Sequence, residues 1–110
     1  MTATVLHDLT LAEAARKIKA KAISPVELTK ALLARTEALD PQLNAFITKT
    51  PEIAMDAAKA AEAEIMRGNW RGPMHGVPFA VKDIYDTANV LTSGHSRTCI
   101  DRVPAKDATT

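Results

Sequence analysis

Residues 72–83 read Gly-Pro-Met-His-Gly-Val-Pro-Phe-Ala-Val-Lys-Asp, a loop rich in glycine and proline followed by an apolar run that ends in charge. Every position from Val77 to Val81 is apolar, which is typical of a strand covered on both faces. The stretch therefore predicts a buried strand over residues 77–82, with Lys82 at its carboxyl end. Because ligands bind at the carboxyl ends of buried strands in open α/β sheets, Lys82 is the first candidate for a functional residue.

A structural role for Lys82 is the simpler interpretation when the hydrophobic pattern is taken alone. A lysine at the end of a strand often packs its stem on apolar neighbours while its ammonium group reaches water. Alternation along a strand would place Pro78, Ala80 and Lys82 on one face. Those neighbours are small or ring-closed, so that face has room for a partner of the ammonium group.

Capping signals predict three helices before this strand. Thr10 and Glu13 have the spacing of a capping box, and Ser24 and Glu27 repeat it, with a proline at the first helical position. A Thr-Pro-Glu sequence begins the third helix, and Gly68 is a natural residue to end it. The predicted helices cover residues 11–22, 25–39 and 51–67.

A second, shorter strand is predicted between the second and third helices. Residues 44–48 read Asn-Ala-Phe-Ile-Thr and are enriched in residues that favour strands. With the helix that follows and the strand at 77–82, this segment would form a βαβ unit. The predicted fold class is therefore α/β.

Composition and charge limit the classes of function. The chain has 110 residues, of which 46% are hydrophobic and 25% charged, as in a globular domain. A net charge of +1 gives no strong field to attract nucleic acid or an anionic membrane, so neither is an expected partner. No apolar stretch approaches membrane-spanning length, and the N-terminus lacks the pattern of a secretory signal. Cys99 is the only cysteine, which favours a reducing compartment, and we expect a cytoplasmic protein.

Other reactive side chains give weaker signals. Cys99 with His95 could be imagined as a thiol nucleophile and its base, but nearness in sequence does not make such a pair. Asp83 and Asp86 could be imagined as metal ligands, but no third ligand accompanies them, and carboxylates that are solvated or order a loop are favoured. His75 is more simply a surface or hydrogen-bonded structural residue. The sequence predicts no metal site and no cofactor.

Four segments together resemble one known family. They are residues 72–83, the preceding Leu43-Asn-Ala-Phe-Ile47, and the following Thr92-Ser-Gly-His-Ser96 and Pro104-Ala-Lys-Asp-Ala-Thr109. In this order they closely resemble the N-terminal part of the amidase signature family, which includes bacterial amidases and the A subunit of glutamyl-tRNA(Gln) amidotransferase. The resemblance implies a mixed sheet flanked by helices, and residues 1–110 would be the N-terminal segment of a single amidase domain with three helices and two short strands.

The resemblance also implies a Ser-cisSer-Lys triad with its lysine at Lys82. A serine hydroxyl is a poor nucleophile until a base takes its proton, and lysine can act as that base only when its pKa is lowered, for example by burial. The bridging serine would relay the proton between the two. The implied substrate of the full-length enzyme is a small-molecule amide, and no cofactor is implied.

The sequence departs from the family pattern in two ways. The family's glycine- and serine-rich signature supplies the nucleophile, the bridging serine and the oxyanion hole, and no Gly-Ser-Ser or Gly-Gly-Ser cluster is present among the 110 residues. We therefore expect an incomplete enzyme that is inactive alone. His95 stands where many relatives carry serine, which favours the free amidases slightly. Two alternatives remain, namely a non-catalytic interaction module or a segment of the amidotransferase A subunit.

Overall fold

The computed structural model describes residues 5–109 and contains the three predicted helices. Helix α1 covers Leu11–Lys19, α2 covers Pro25–Leu43 and α3 covers Pro51–Met66. Two short 3-10 turns, Leu6–Asp8 and Arg97–Cys99, complete the regular structure of the described residues. No helix within residues 5–109 has both the length and the apolar character needed to cross a membrane.

Both predicted capping boxes form at the helix starts. The Thr10 N–H donates to Glu13 Oε2 at 2.7 Å, and the Glu13 N–H donates to Thr10 Oγ1 at 3.2 Å. At α2 the corresponding bonds between Ser24 and Glu27 measure 3.0 and 2.9 Å. Each box satisfies two backbone donors that would otherwise have no partner within the helix, which explains why these signals were readable from sequence.

The helix ends differ from the predicted ends where a residue adopts a left-handed conformation. Helix α1 stops at Lys19 and not at residue 22, because Lys21 has a φ of 60° and the Ala22 N–H donates to the Lys17 carbonyl at 2.8 Å. Helix α2 runs past Pro41 to Leu43, beyond the predicted end at residue 39. Asn44, with a φ of 50°, follows its last residue.

The two short strands predicted at 44–48 and 77–82 are not seen within residues 5–109, and no mixed sheet supports the predicted α/β class. A strand is defined by backbone hydrogen bonds to a neighbouring strand, and strand propensity mostly measures how well a side chain fits a sheet surface. In the segment 77–82 the predicted cover is also missing, since Phe79 is 76% exposed and Val81 is 49% exposed. An apolar run without a pairing partner therefore forms no strand here.

Residue contacts divide the chain into two compact units. The first unit contains residues 5–43 and Thr50–Pro78, and its core is formed by side chains from all three helices. Gly76 approaches this core closely: it has a φ of 85°, and a Cβ added there would lie 2.6 Å from Pro25 Cγ. Only glycine fits such a position without strain. The buried core side chains are Ala14, Ile18, Leu28 and Ile65.

Trp70, the only tryptophan, packs against the core of the first unit. The Lys19 ammonium nitrogen lies 4.6 Å from the centroid of its ring, a cation–π contact. The indole Nε1 is buried and has no hydrogen-bond acceptor among residues 5–109. The ring therefore reports on both the core and the end of α1.

The second unit contains Asn44–Lys49 and residues 79–109, and the 3-10 turn Arg97–Cys99 is its only helical element among those described. Backbone and side-chain hydrogen bonds organise it in place of a ladder. Asn89 N–H donates to the Pro104 carbonyl and Thr92 N–H to the Arg102 carbonyl, both at 2.9 Å. The carboxylates of Asp83, Asp86 and Asp107 accept further hydrogen bonds within the unit. Polar contacts therefore hold a segment that has little regular structure.

Candidate functional site

Lys82 lies in the second unit, at the end of the apolar run that precedes it. Its carbonyl accepts a hydrogen bond from the Tyr85 N–H at 3.0 Å, which closes a turn directly after it. The side chain of Lys82 is exposed, whereas the sequence predicted the end of a buried strand. The difference has the same origin as the missing strand, because no sheet covers this segment within residues 5–109.

Asp83, the residue bonded to Lys82, makes a cluster of hydrogen bonds with residues 93–95. Ser93 Oγ donates to Asp83 Oδ2 at 2.7 Å, and the backbone N–H groups of Ser93 and His95 each donate to the carboxylate at 3.2 Å. The Gly94 N–H donates to the Asp83 carbonyl at 3.0 Å. We call this set of residues, Asp83 with Ser93, Gly94 and His95, the Asp83 clamp.

The clamp also sets the ionisation of Asp83. The hydrogen bond from the Ser93 hydroxyl lowers the pKa of Asp83 below its ordinary value, and the N–H groups of His95, Ser93 and Gly94 lower it further. Desolvation raises the pKa of Asp83, but by less than the hydrogen bonds lower it. Asp83 is therefore a carboxylate at neutral pH. The sequence left a solvated or a loop-ordering carboxylate open, and these contacts are those of a loop-ordering one.

The loop that contains residues 93–95 is also held at Thr92, the residue that precedes the clamp. Thr92 and Ser93 are 4% and 7% exposed, and Thr92 Oγ1 donates to the Val90 carbonyl at 3.0 Å. Gly94 and His95 both have positive φ values, 59° and 56°. A histidine in the left-handed region is uncommon and persists where neighbouring contacts hold it. The sequence marked this loop as a motif but gave no signal that Ser93 would be buried against Asp83.

Asp86 and Arg102 form a bidentate ion pair at the surface of the same unit. Arg102 Nη1 and Nη2 donate to the two carboxylate oxygens at 2.6 and 2.8 Å. The guanidinium lowers the pKa of Asp86, and the carboxylate raises the pKa of Arg102. Asp107 adds another link, since its Oδ1 accepts the Ala88 N–H at 2.7 Å. Within residues 5–109 no group of three or more His, Cys, Asp or Glu side chains is placed to hold a metal ion.

The histidines and the cysteine have structural contacts. His75 is buried in the first unit, where its Nδ1 accepts the Arg71 N–H at 3.0 Å and its Nε2 lies 3.7 Å from Glu64 Oε2. His95 enters the Asp83 clamp through its backbone N–H, and its side chain is exposed. Cys99 lies in the 3-10 turn with its Sγ 3.8 Å from Thr98 Oγ1. These contacts give no support to the imagined thiol–imidazole pair.

Comparison with known proteins identifies relatives over nearly the whole chain. The family model described as Amidase matches residues 27–110. The A subunit of glutamyl-tRNA(Gln) amidotransferase from Methylococcus capsulatus is 48% identical over 103 residues, and the same subunit from Geobacter metallireducens is 45% identical over 104. These matches cover 94% of this chain and 21% of each relative. A Pseudomonas putida protein named Amidase is 46% identical over 91 residues, covering 83% of this chain and 19% of the relative.

The chain is also similar in structure to a solved protein chain. It is described as an unexpected vestigial protein complex that reveals the evolutionary origins of an s-triazine catabolic enzyme. Its TM-score is 0.85 at 28% identity, over 90% of this chain and 22% of that chain. The chain spans about a fifth of the length of the curated relatives it matches. The family match and the identity to these relatives establish that the chain belongs to the amidase family.

Proposed function

We propose that this chain is the N-terminal part of an amide-bond hydrolase of the Ser-cisSer-Lys type, with Lys82 as its general base. One observation carries the proposal: the match to the amidase family over residues 27–110 includes the stretch 72–83 that ends in Lys82 and Asp83. In the reaction, Lys82 accepts the proton of a serine nucleophile through a bridging serine, and the serine oxygen attacks the amide carbonyl. The C–N bond then breaks, the amine leaves with that proton, and water hydrolyses the resulting ester to the acid. The substrate class is a small-molecule amide.

The exposed position of Lys82 defines what else the reaction needs. A lysine acts as a general base only where its surroundings disfavour the charged form, so the proposed role requires a site that covers Lys82. The relatives are about five times as long as the matched segment. The proposal places the nucleophile, the bridging serine and the oxyanion hole in sequence beyond the matched fifth.

The 110 residues alone should therefore hydrolyse no amide. They carry the proposed base but no glycine- and serine-rich cluster that resembles the family's nucleophile signature. The measurement is release of ammonia from simple aliphatic and aromatic amides by the purified 110-residue chain. Turnover that disappears in Lys82→Ala would contradict this part of the proposal.

The role of Lys82 can be tested in a longer host. The matched segment of the Pseudomonas putida amidase would be replaced by the corresponding residues of this chain. We expect this graft to hydrolyse the host's amide substrate and Lys82→Ala to lower kcat by about a thousandfold, the scale of general base catalysis. Lys59→Ala, which removes an exposed lysine of α3, is the matched control and should leave kcat unchanged. A folded graft without activity, or an active Lys82→Ala variant, would count against the proposal.

The second candidate is a segment of an amidotransferase A subunit. The names of several relatives favour it, since matches at 45% and 48% identity are to the A subunit of glutamyl-tRNA(Gln) amidotransferase. Grafting the same residues into this relative from Methylococcus capsulatus, with its partner subunits present in the assay, separates the candidates. Higher retained activity there than in the Pseudomonas putida host favours the amidotransferase, whereas inactivity in both hosts favours a non-catalytic module.

A further inference from the structure

The Asp83 clamp joins the residue directly after Lys82 to residues 93–95 by four hydrogen bonds. The carboxylate accepts one hydroxyl and two backbone N–H groups, while the carbonyl of the same residue accepts the Gly94 N–H. Both the side chain and the main chain of Asp83 are therefore held by residues 93–95. Hydrogen bonds to an ionised carboxylate are shorter and stronger than those between neutral groups.

The clamp differs from the other carboxylate contacts of the unit in what it restrains. Asp86 pairs with the guanidinium of Arg102, which is an exposed side chain. Asp83 instead joins two segments of backbone, and one of them is bonded directly to Lys82. The Tyr85 N–H donates to the Lys82 carbonyl, which is part of the Lys82–Asp83 peptide, at 3.0 Å. The peptide that links Lys82 to Asp83 is thus fixed from both ends.

We propose that Asp83 is a positioning residue for Lys82: by holding residues 93–95 against its own backbone, it sets the direction in which the lysine side chain leaves the chain. This inference rests on the proposed function of Lys82. Asp83 transfers no proton in the reaction and contacts no reacting atom. Its effect is to keep the lysine nitrogen within reach of its proton donor, and a base displaced by about 1 Å can lose about a hundredfold in rate.

The geometric half of the inference is tested on the 110-residue chain by nuclear magnetic resonance. The backbone N–H signals of Ser93 and His95 should shift as the Asp83 carboxyl titrates. Asp83→Ala should speed hydrogen exchange of the 93–95 amides by about tenfold or more and lower the heteronuclear Overhauser effect at Lys82. Asp101→Ala, which removes an exposed carboxylate of the same unit, is the control and should change neither. An unchanged Lys82 signal in Asp83→Ala would overturn the proposal.

The catalytic half is tested in the Pseudomonas putida graft. Asp83→Asn removes the charge and should lower kcat by about tenfold to a hundredfold while KM stays constant, because the base is misplaced but substrate binding is not. Asp83→Glu should recover part of that loss. Ser93→Ala removes only the hydroxyl donor and should cause a smaller loss in kcat, and Asp101→Asn should match the unmodified graft.

The outcomes separate this inference from the proposed function. If Lys82→Ala is inactive but Asp83→Asn keeps the unmodified kcat, the positioning role is wrong and the base assignment stands. If Lys82→Ala is active, the proposed function fails, while the resonance measurements still decide whether the clamp orders Lys82. If Asp83→Asn and Ser93→Ala both unfold the graft, the clamp is structural only and the inference is overturned.

Discussion

Single residues of this chain carry constraints that their residue type alone would not reveal. Gly68 and Gly76 both have strongly positive φ values, 89° and 85°. A Cβ at Gly68 would meet nothing within 4 Å, whereas one at Gly76 would overlap Pro25 at 2.6 Å. The two glycines therefore separate the cost of backbone conformation from the cost of close packing.

We expect Gly76→Ala to destabilise the first unit by about 3 kcal/mol. About 1–2 kcal/mol comes from the left-handed backbone, and the remainder comes from forcing Pro25 aside in a packed region. Gly68→Ala has only the first cost and should lose about 1–2 kcal/mol. Urea unfolding followed by tryptophan fluorescence measures both, and equal losses in the two variants would contradict the contact with Pro25.

The candidate site was predictable at the residue scale only where the signal was local. The apolar run ending in Lys82 indicated that lysine, and the absence of a third ligand favoured a solvated or loop-ordering role for Asp83 over a metal site. Ser93 was missed as a partner because it lies ten residues away, and no spacing rule joins an aspartate after an apolar run to a serine in a later loop. The burial of Ser93 is a property of tertiary contacts.

At the scale of elements, helices and strands differed in how far sequence could predict them. The helix starts were confirmed because a capping box is closed by residues three positions apart. The strands at 44–48 and 77–82 were wrong for the described residues because pairing requires a neighbour that a local pattern does not contain. The predicted end of α1 at residue 22 was wrong because lysine is not a residue type that indicates a left-handed conformation, which Lys21 adopts.

The prediction at this scale concerns the left-handed backbone conformation of Lys21. It occupies the position after the C-cap of α1, where glycine is the preferred residue, with a φ of 60°. We expect Lys21→Gly to stabilise the first unit by about 0.5–1 kcal/mol, because relief of the left-handed strain exceeds the added entropy of the unfolded chain.

Lys17→Gly is the control, since it places glycine inside the same helix. It should destabilise by about 1 kcal/mol. Thermal unfolding followed by circular dichroism at the helix band distinguishes the two variants. A loss of stability in both would mean that the left-handed conformation of Lys21 carries no strain.

On the scale of the whole molecule, the two units are stabilised by different forces. The first has an apolar core drawn from three helices, with Ile18 only 1% exposed. The second relies on carboxylates that accept backbone and side-chain donors, chiefly Asp83, Asp86 and Asp107. Burial of apolar surface does not depend on pH, whereas a carboxylate loses acceptor capacity when acid protonates it.

We expect acid to disorder the second unit before the first. The pKa values of Asp83 and Asp86 are lowered in the folded chain, from an ordinary value of 3.8. Their contribution to stability is therefore fully present above the unfolded pKa and is lost as the pH falls through the lower, folded values. In nuclear magnetic resonance spectra, the amide signals of residues 83–95 should move to unfolded positions in that range while those of α1 and α3 keep their folded positions. Simultaneous loss of both sets would contradict separate stabilisation.

The packing of Trp70 in the first unit has a practical consequence for following these changes. The chain contains one tryptophan and one tyrosine, and Tyr85 lies in the second unit, in the turn that closes on Lys82. Each unit therefore contains one aromatic side chain that can be followed by optical spectroscopy. Indole fluorescence reports unfolding of the helical core, and phenol absorbance reports unfolding of the turn beside the proposed base. Unfolding of each unit is therefore measurable in an unlabelled sample.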